Sequence, residues 1–193
     1  TLSEGGDNPF GFFEKIKIVP VSISYEYDPT DILKMPELLA KAIQTIETFP
    51  QKLKAEVAHL TESQLDTPYR PQGWTVRQVI HHCADSHMNC FIRLKWTLTE
   101  NNPTIKFYYE NLWGEGIDNK TMPIEPTLKF LEGLHYRLAF VMKSLTETDL
   151  EAAYIHPEHN KEFQLREMIC LYEWHCNHHL AHITELKKRE NWV

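Results

Sequence analysis

The ten residues EWHCNHHLAH, 173 to 182, hold four of the chain's eleven histidines. Imidazole nitrogen is a lone-pair donor for divalent metals, and two rings one helical turn apart can converge on one ion. Each residue of an α-helix advances about 100°, so from His175 the positions 179 and 182 lie within about 40° on either side. That face also carries Met168, Leu171, Tyr172, Ile183 and Leu186, while Arg166, Glu173, Asn177, Thr184 and Lys188 lie opposite. The histidines therefore look inward. One histidine on an apolar stripe reads as a hydrogen-bonded core residue. Several together need partners or an ion, because a buried polar group left unpaired costs roughly 1 to 3 kcal/mol. His178 falls to the side, toward Glu185, and reads as a supporting or surface residue. The stretch is not the H-E-x-x-H of a zinc protease, since Cys176 stands where the glutamate base would be.

A further ligand has to come from elsewhere, and VIHHCADSHMN offers His81, His82 and His87. His82 shares a polar strip with Gln78, Asp85, Ser86, Asn89 and Arg93, which suits either a solvated face or a polar pocket. His87 sits with Ile80, Ala84, Phe91 and Leu98. Periodicity leaves the choice open.

These residues need rigid elements to position them. From Pro36 to about Leu60 apolar residues recur at helical spacing, with Pro50 as a kink or restart. A second long helix follows Gly73, where Thr75 and Gln78 form a capping box and ENNP ends the pattern. A third runs from about Pro126 and a fourth from about Leu165 to Arg189. LTESQLDTPY (60–69) and LTETDLEAAY (145–154) form a faint repeat, each before a loop and then a histidine-bearing helix. Two helical hairpins related by a pseudo-two-fold predict an all-α four-helix bundle, a fold that builds metal sites from facing helices. Residues 1–35 are expected to form an irregular arm or short extended segment around IKIVPVSISYEY, and residues 36–193 the metal-binding domain. FYYENLWGEG, between the second and third helices, reads as a pocket wall or as a loop packed by its own aromatics.

Chain length and composition fit one globular domain, with 193 residues, 42% of them hydrophobic and 24% charged. A net charge of -7 and the lack of a basic stripe argue against nucleic acid as a partner. No apolar run reaches the ~20 residues that cross a bilayer, and no basic-then-hydrophobic leader is present, so a cytoplasmic protein that does not engage membranes is expected. The four cysteines, Cys83, Cys90, Cys170 and Cys176, lie in helical segments without disulfide spacing and read as reduced, buried thiols.

QLDTPYRPQGWTVRQVIHHCADSHMNCFIRLKWTLTE together with LYEWHCNHHLAHITEL resembles the YfiT branch of the DinB-like metalloproteins, described as metal-dependent hydrolases and related to bacillithiol transferases. The resemblance runs from about Val21 to the C-terminus. It implies a four-helix bundle, often homodimeric, that binds one divalent metal per subunit, zinc or nickel. Carried over residue by residue, it places the ligands at His82, His175 and His179. It supplies no general base, and Asp85, His178 and His182 stand as candidates for a supporting role behind the ligands.

Three neutral imidazoles leave the ion its full charge and, for zinc, an open fourth position. Such an ion lowers the pKa of a bound water to about 7 or deprotonates a bound thiol. The expected function is hydrolysis of a small molecule. The alternatives are S-transfer from a low-molecular-weight thiol of the bacillithiol type, and a metal-stabilised bundle without turnover.

Overall fold

Each part of the histidine pattern falls on a long helix whose start the local sequence marks. The computed structural model describes residues 35–158 and 160–192. Its elements, in order, are α1 (Met35–Val57), α2 (Glu62–Leu65), α3 (Val76–Thr99), α4 (Glu110–Gly114), α5 (Ile117–Thr121), α6 (Ile124–Lys143), α7 (Glu147–Glu151), β1 (Ala153–His156), β2 (Lys161–Gln164) and α8 (Leu165–Arg189). The extended arm expected within residues 1–35 lies outside the described residues, apart from Met35 at the start of α1.

Thr75 caps α3 as expected: its side chain accepts from Gln78 N–H, and the Gln78 side chain accepts from Thr75 N–H. Both bonds satisfy backbone donors that a helix start leaves unpaired. Pro50 does not restart α1, which runs through it without a break. The third long helix begins at Ile124 rather than Pro126, because Pro126 occupies the third helical position, where a missing N–H loses no helical bond. The bounds of α8 match the expectation.

Ile46 and Leu53 of α1, Val79, Ile80 and Leu94 of α3, Leu131 and Leu138 of α6, and Met168, Ile169 and Ile183 of α8 meet in the core without solvent exposure. Each such side chain contributes about 1.5 to 3 kcal/mol of burial. Leu171 departs from its expected inward position and is 45% exposed.

Both α1 and α3 pack against α6 and α8, so the ring order is α1, α6, α3, α8, with α1 diagonal to α3 and α6 diagonal to α8. The two sequence pairs are therefore not hairpins of neighbouring helices, as the repeat had suggested. The capped segments after α1 and α6 carry the chain across the bundle end. The repeat itself is structural. Thr61 caps α2 and Thr146 caps α7, each with a full capping box. Val76 N–H then donates to Thr67 O in the first half as Leu165 N–H donates to Ala152 O in the second.

The loop expected before α8 is an antiparallel hairpin, with Tyr154 opposite Phe163 and the two rings stacked. Its counterpart before α3 is a single bridge between Pro68 and Thr75. Four-residue strands give too short an alternation to stand out in sequence. Among the described residues, no helix is long and apolar enough to cross a membrane.

Candidate metal centre

The α3 and α8 faces that meet inside the bundle carry the histidine clusters. His82 and His179 are buried, and of the three expected ligands only His175 keeps appreciable surface. One nitrogen from each of His82, His175 and His179 lies within 4.8 Å of the other two. The Nε2 atoms of His82 and His175 are 3.3 Å apart. Two imidazole nitrogens sharing a tetrahedral zinc at about 2.0–2.1 Å stand about 3.3–3.4 Å apart, so this spacing fits the edge of a metal site. The buried Nδ1 of His179 has no hydrogen-bond partner, the shortfall expected where a ring is arranged around something other than protein.

The α3 strip resolves as polar interior rather than solvated face, since Gln78, Ser86 and Arg93 are buried. Hydrogen bonding then separates the three candidate histidines of α3. His81 Nε2–H donates to Met122 O at 3.1 Å and its Nδ1 accepts from Thr127 Oγ1 at 2.8 Å, so both nitrogens are taken. Both nitrogens of His87 meet other imidazoles, His135 at 2.7 Å and His175 at 2.9 Å. Of the three, His82 is the one whose nitrogen falls in the group with His175 and His179. His135, from the stretch LEGLHYRLAF, was not singled out by the sequence. A lone histidine in an apolar stripe carries no signal of what faces it.

The residues expected in support behave differently from one another. His178 stacks on Trp174 at 4.5 Å and meets His179 edge-on at 5.2 Å. His182 stacks on Tyr69 at 3.9 Å, with its ring centre 5.5 Å from that of His179. Asp85 is turned to Asn119, whose Nδ2 donates to it at 3.0 Å and to Trp113 O at 2.7 Å. It orients none of the three expected ligand rings among the described contacts. FYYENLWGEG contains α4, and its rings pair with one another, Tyr108 with Trp113 and Phe107 with Tyr109. It also borders the cluster: Gln78 Nε2–H donates to Gly114 O, and Gly114 abuts Trp74, which lies 4.6 Å from the His82 ring.

Burial sets the charge state of the cluster. It lowers His82 to about 4 and pushes His175 and His179 well below the ordinary histidine range, with neighbouring imidazoles adding to the effect. Neutral rings are what metal ligation needs. Burial raises the thiols of Cys83, Cys90 and Cys176, which stay protonated and bring no competing thiolate.

A long-helix bundle that brings together three histidines drawn from two helices defines a class of all-α metalloprotein. The chain belongs to the DinB superfamily, whose family model matches residues 45–183. It is 45% identical over 175 residues to "Putative metal-dependent hydrolase YfiT" of Bacillus subtilis, covering 89% of this chain and 98% of that protein. It is 51% identical over 156 residues to a Bacillus cereus protein named "Putative metal-dependent hydrolase", covering 81% of this chain and 89% of the relative. Among solved structures it is similar to YfiT from Bacillus subtilis, described as a probable metal-dependent hydrolase with an unusual four-helix bundle topology. The TM-score is 0.80 at 46% identity, with 81% of this chain and 90% of the other covered.

Proposed function

We propose that residues 36–193 form a metal-dependent enzyme domain that hydrolyses a small molecule at His82, His175 and His179. The observation supporting this is the meeting of three uncharged imidazoles from α3 and α8 inside the bundle, at a spacing that suits one ion. The names of the relatives point the same way. A bound divalent ion, one per subunit and zinc or nickel by its imidazole set, supplies Lewis acidity and lowers the pKa of a coordinated water or thiol.

The chain's own residues do the rest. His82, His175 and His179 hold the ion by three donors and leave a position for substrate. Trp74 covers one side of the His82 ring, and Tyr69 packs flat on His182. These aromatic rings exclude water and keep the imidazoles neutral and in place. Association of two copies belongs to the same reading, since Ile92 and Trp96, one turn apart on α3, expose 37% and 38% of their surface.

The test loads the purified protein with zinc or nickel and assays a chromogenic ester and amide, and separately a low-molecular-weight thiol with a chromogenic electrophile. Metal-dependent cleavage that His179→Ala abolishes is the expected result. Metal-dependent thiol consumption without cleavage would assign S-transfer instead. A melting temperature raised by metal in a protein inactive in both assays would leave a metal-stabilised bundle without turnover.

A further inference from the structure

Ile46 stands four residues before Pro50 in α1. Proline has no N–H, so the Ile46 carbonyl lacks the helical donor it would otherwise accept from. His135 of α6 reaches this oxygen, with Nδ1 2.6 Å away. A carbonyl oxygen can only accept, so His135 Nδ1 carries a proton. A neutral imidazole has one donor and one acceptor, which leaves His135 Nε2 bare. It accepts from His87 Nδ1–H at 2.7 Å. By the same rule His87 Nε2 is bare and accepts from His175 Nδ1–H at 2.9 Å. The proton on His175 is thereby committed to Nδ1. Its Nε2 is a lone pair, and this is the atom 3.3 Å from His82 Nε2.

We propose that Pro50, His135 and His87 build a directional line of hydrogen bonds that fixes His175 as its Nδ1–H tautomer and presents its Nε2 lone pair to the ion. His87 and His135 are positioning residues, acting only through His175. The line visits α1, α6, α3 and α8 in ring order, so one hydrogen bond spans each of three helix interfaces. Reversal is blocked at the carbonyl end, where two lone pairs would face each other. Each of the three links pairs one ring nitrogen with one acceptor, so the line needs a single proton on each ring. Metal-bound histidines commonly donate their second nitrogen to a carboxylate, a carbonyl or water. Here two further imidazoles carry that role to a carbonyl that proline has set free.

The use of the line rests on the metal reading of the cluster, and the experiment separates the two. Long-range proton–nitrogen correlation spectra of the metal-free, 15N-labelled full chain at pH 7.5 should show His175, His87 and His135 all as Nδ1–H tautomers. Free histidine in water favours the opposite, Nε2–H, form. An Nε2 proton on any of the three in the native protein overturns the proposal, with no variant needed. Zinc titration against a chromogenic chelator then reads the consequence. His87→Phe, which cannot accept from His175, should weaken zinc binding about 10- to 100-fold. His87→Gln, whose amide can accept from His175 and donate to His135, should recover most of that loss. Equal losses in the two variants, or no loss in His87→Phe, also overturn it. If the native chain binds no zinc or nickel, the metal reading fails while the tautomer spectra still decide the line.

Discussion

His135 gives the metal-free bundle an acid weakness of calculable size. Its ring is 1% exposed and faces His87 from α3 and Phe49 and the Ile46 carbonyl from α1. No carboxylate bonds to it among the described residues. Burial is the main cause that lowers it to about 4, against 6.5 for an ordinary histidine. Between those values the unfolded chain holds a proton there that the native state refuses, so stability falls as pH falls. The contribution is complete above about pH 6.5 and lost by about pH 4. It amounts to about 3 kcal/mol in total, with a slope of up to about 1.4 kcal/mol per pH unit. Urea unfolding of the metal-free native protein and of His135→Gln, at intervals from pH 7.5 to 4.5, isolates this residue from the other buried histidines. The two stability curves should converge on acidification, the native one falling more steeply by most of one proton. Curves that remain parallel over that range would refute the reasoning, whatever their vertical offset.

Alanine at His82, His175 or His179 should abolish stoichiometric zinc or nickel, whereas His182→Ala should retain it, by elemental analysis after gel filtration. Gly114→Ala should destabilise the chain by about 1–3 kcal/mol in thermal or urea melts, because the added Cβ would lie 2.9 Å from Trp74 Cε2. Arg77 is buried and bonds to Glu62, Asp66 and Met122 O, while both acids are largely exposed. The double variant Glu62→Gln with Asp66→Asn should therefore cost more stability than Arg77→Met, since it strands a buried guanidinium whereas the reverse frees two solvated carboxylates. Sedimentation at micromolar concentration should show a dimer that Trp96→Glu dissociates.

Much of this was legible in the sequence because it is local. The capping box at Thr75 and the span of α8 depend on residues within a turn or two of one another. The diagonal placement of α1 and α3 is set by interhelical packing, which helical periodicity does not encode. The choice between His82 and His87 stayed open on periodicity for a physical reason: both rings meet His175, one at each of its nitrogens. The resemblance to the DinB-like proteins selected His82. The part of His135 was invisible, since it depends on a carbonyl 89 positions earlier being unclaimed. Pro50, read only as a possible break, is the residue that leaves it so.

The crossed ring of helices also bears on how the chain is made. When residue 99 has left the ribosome, the segments of α1 and α3 have both been made, yet neither has received the neighbours that cover its oily side, because these are α6 and α8. On the proposed ligand set, metal loading has to wait for α8, since His175 and His179 are made last and a chain that stops before them lacks two of the three donors.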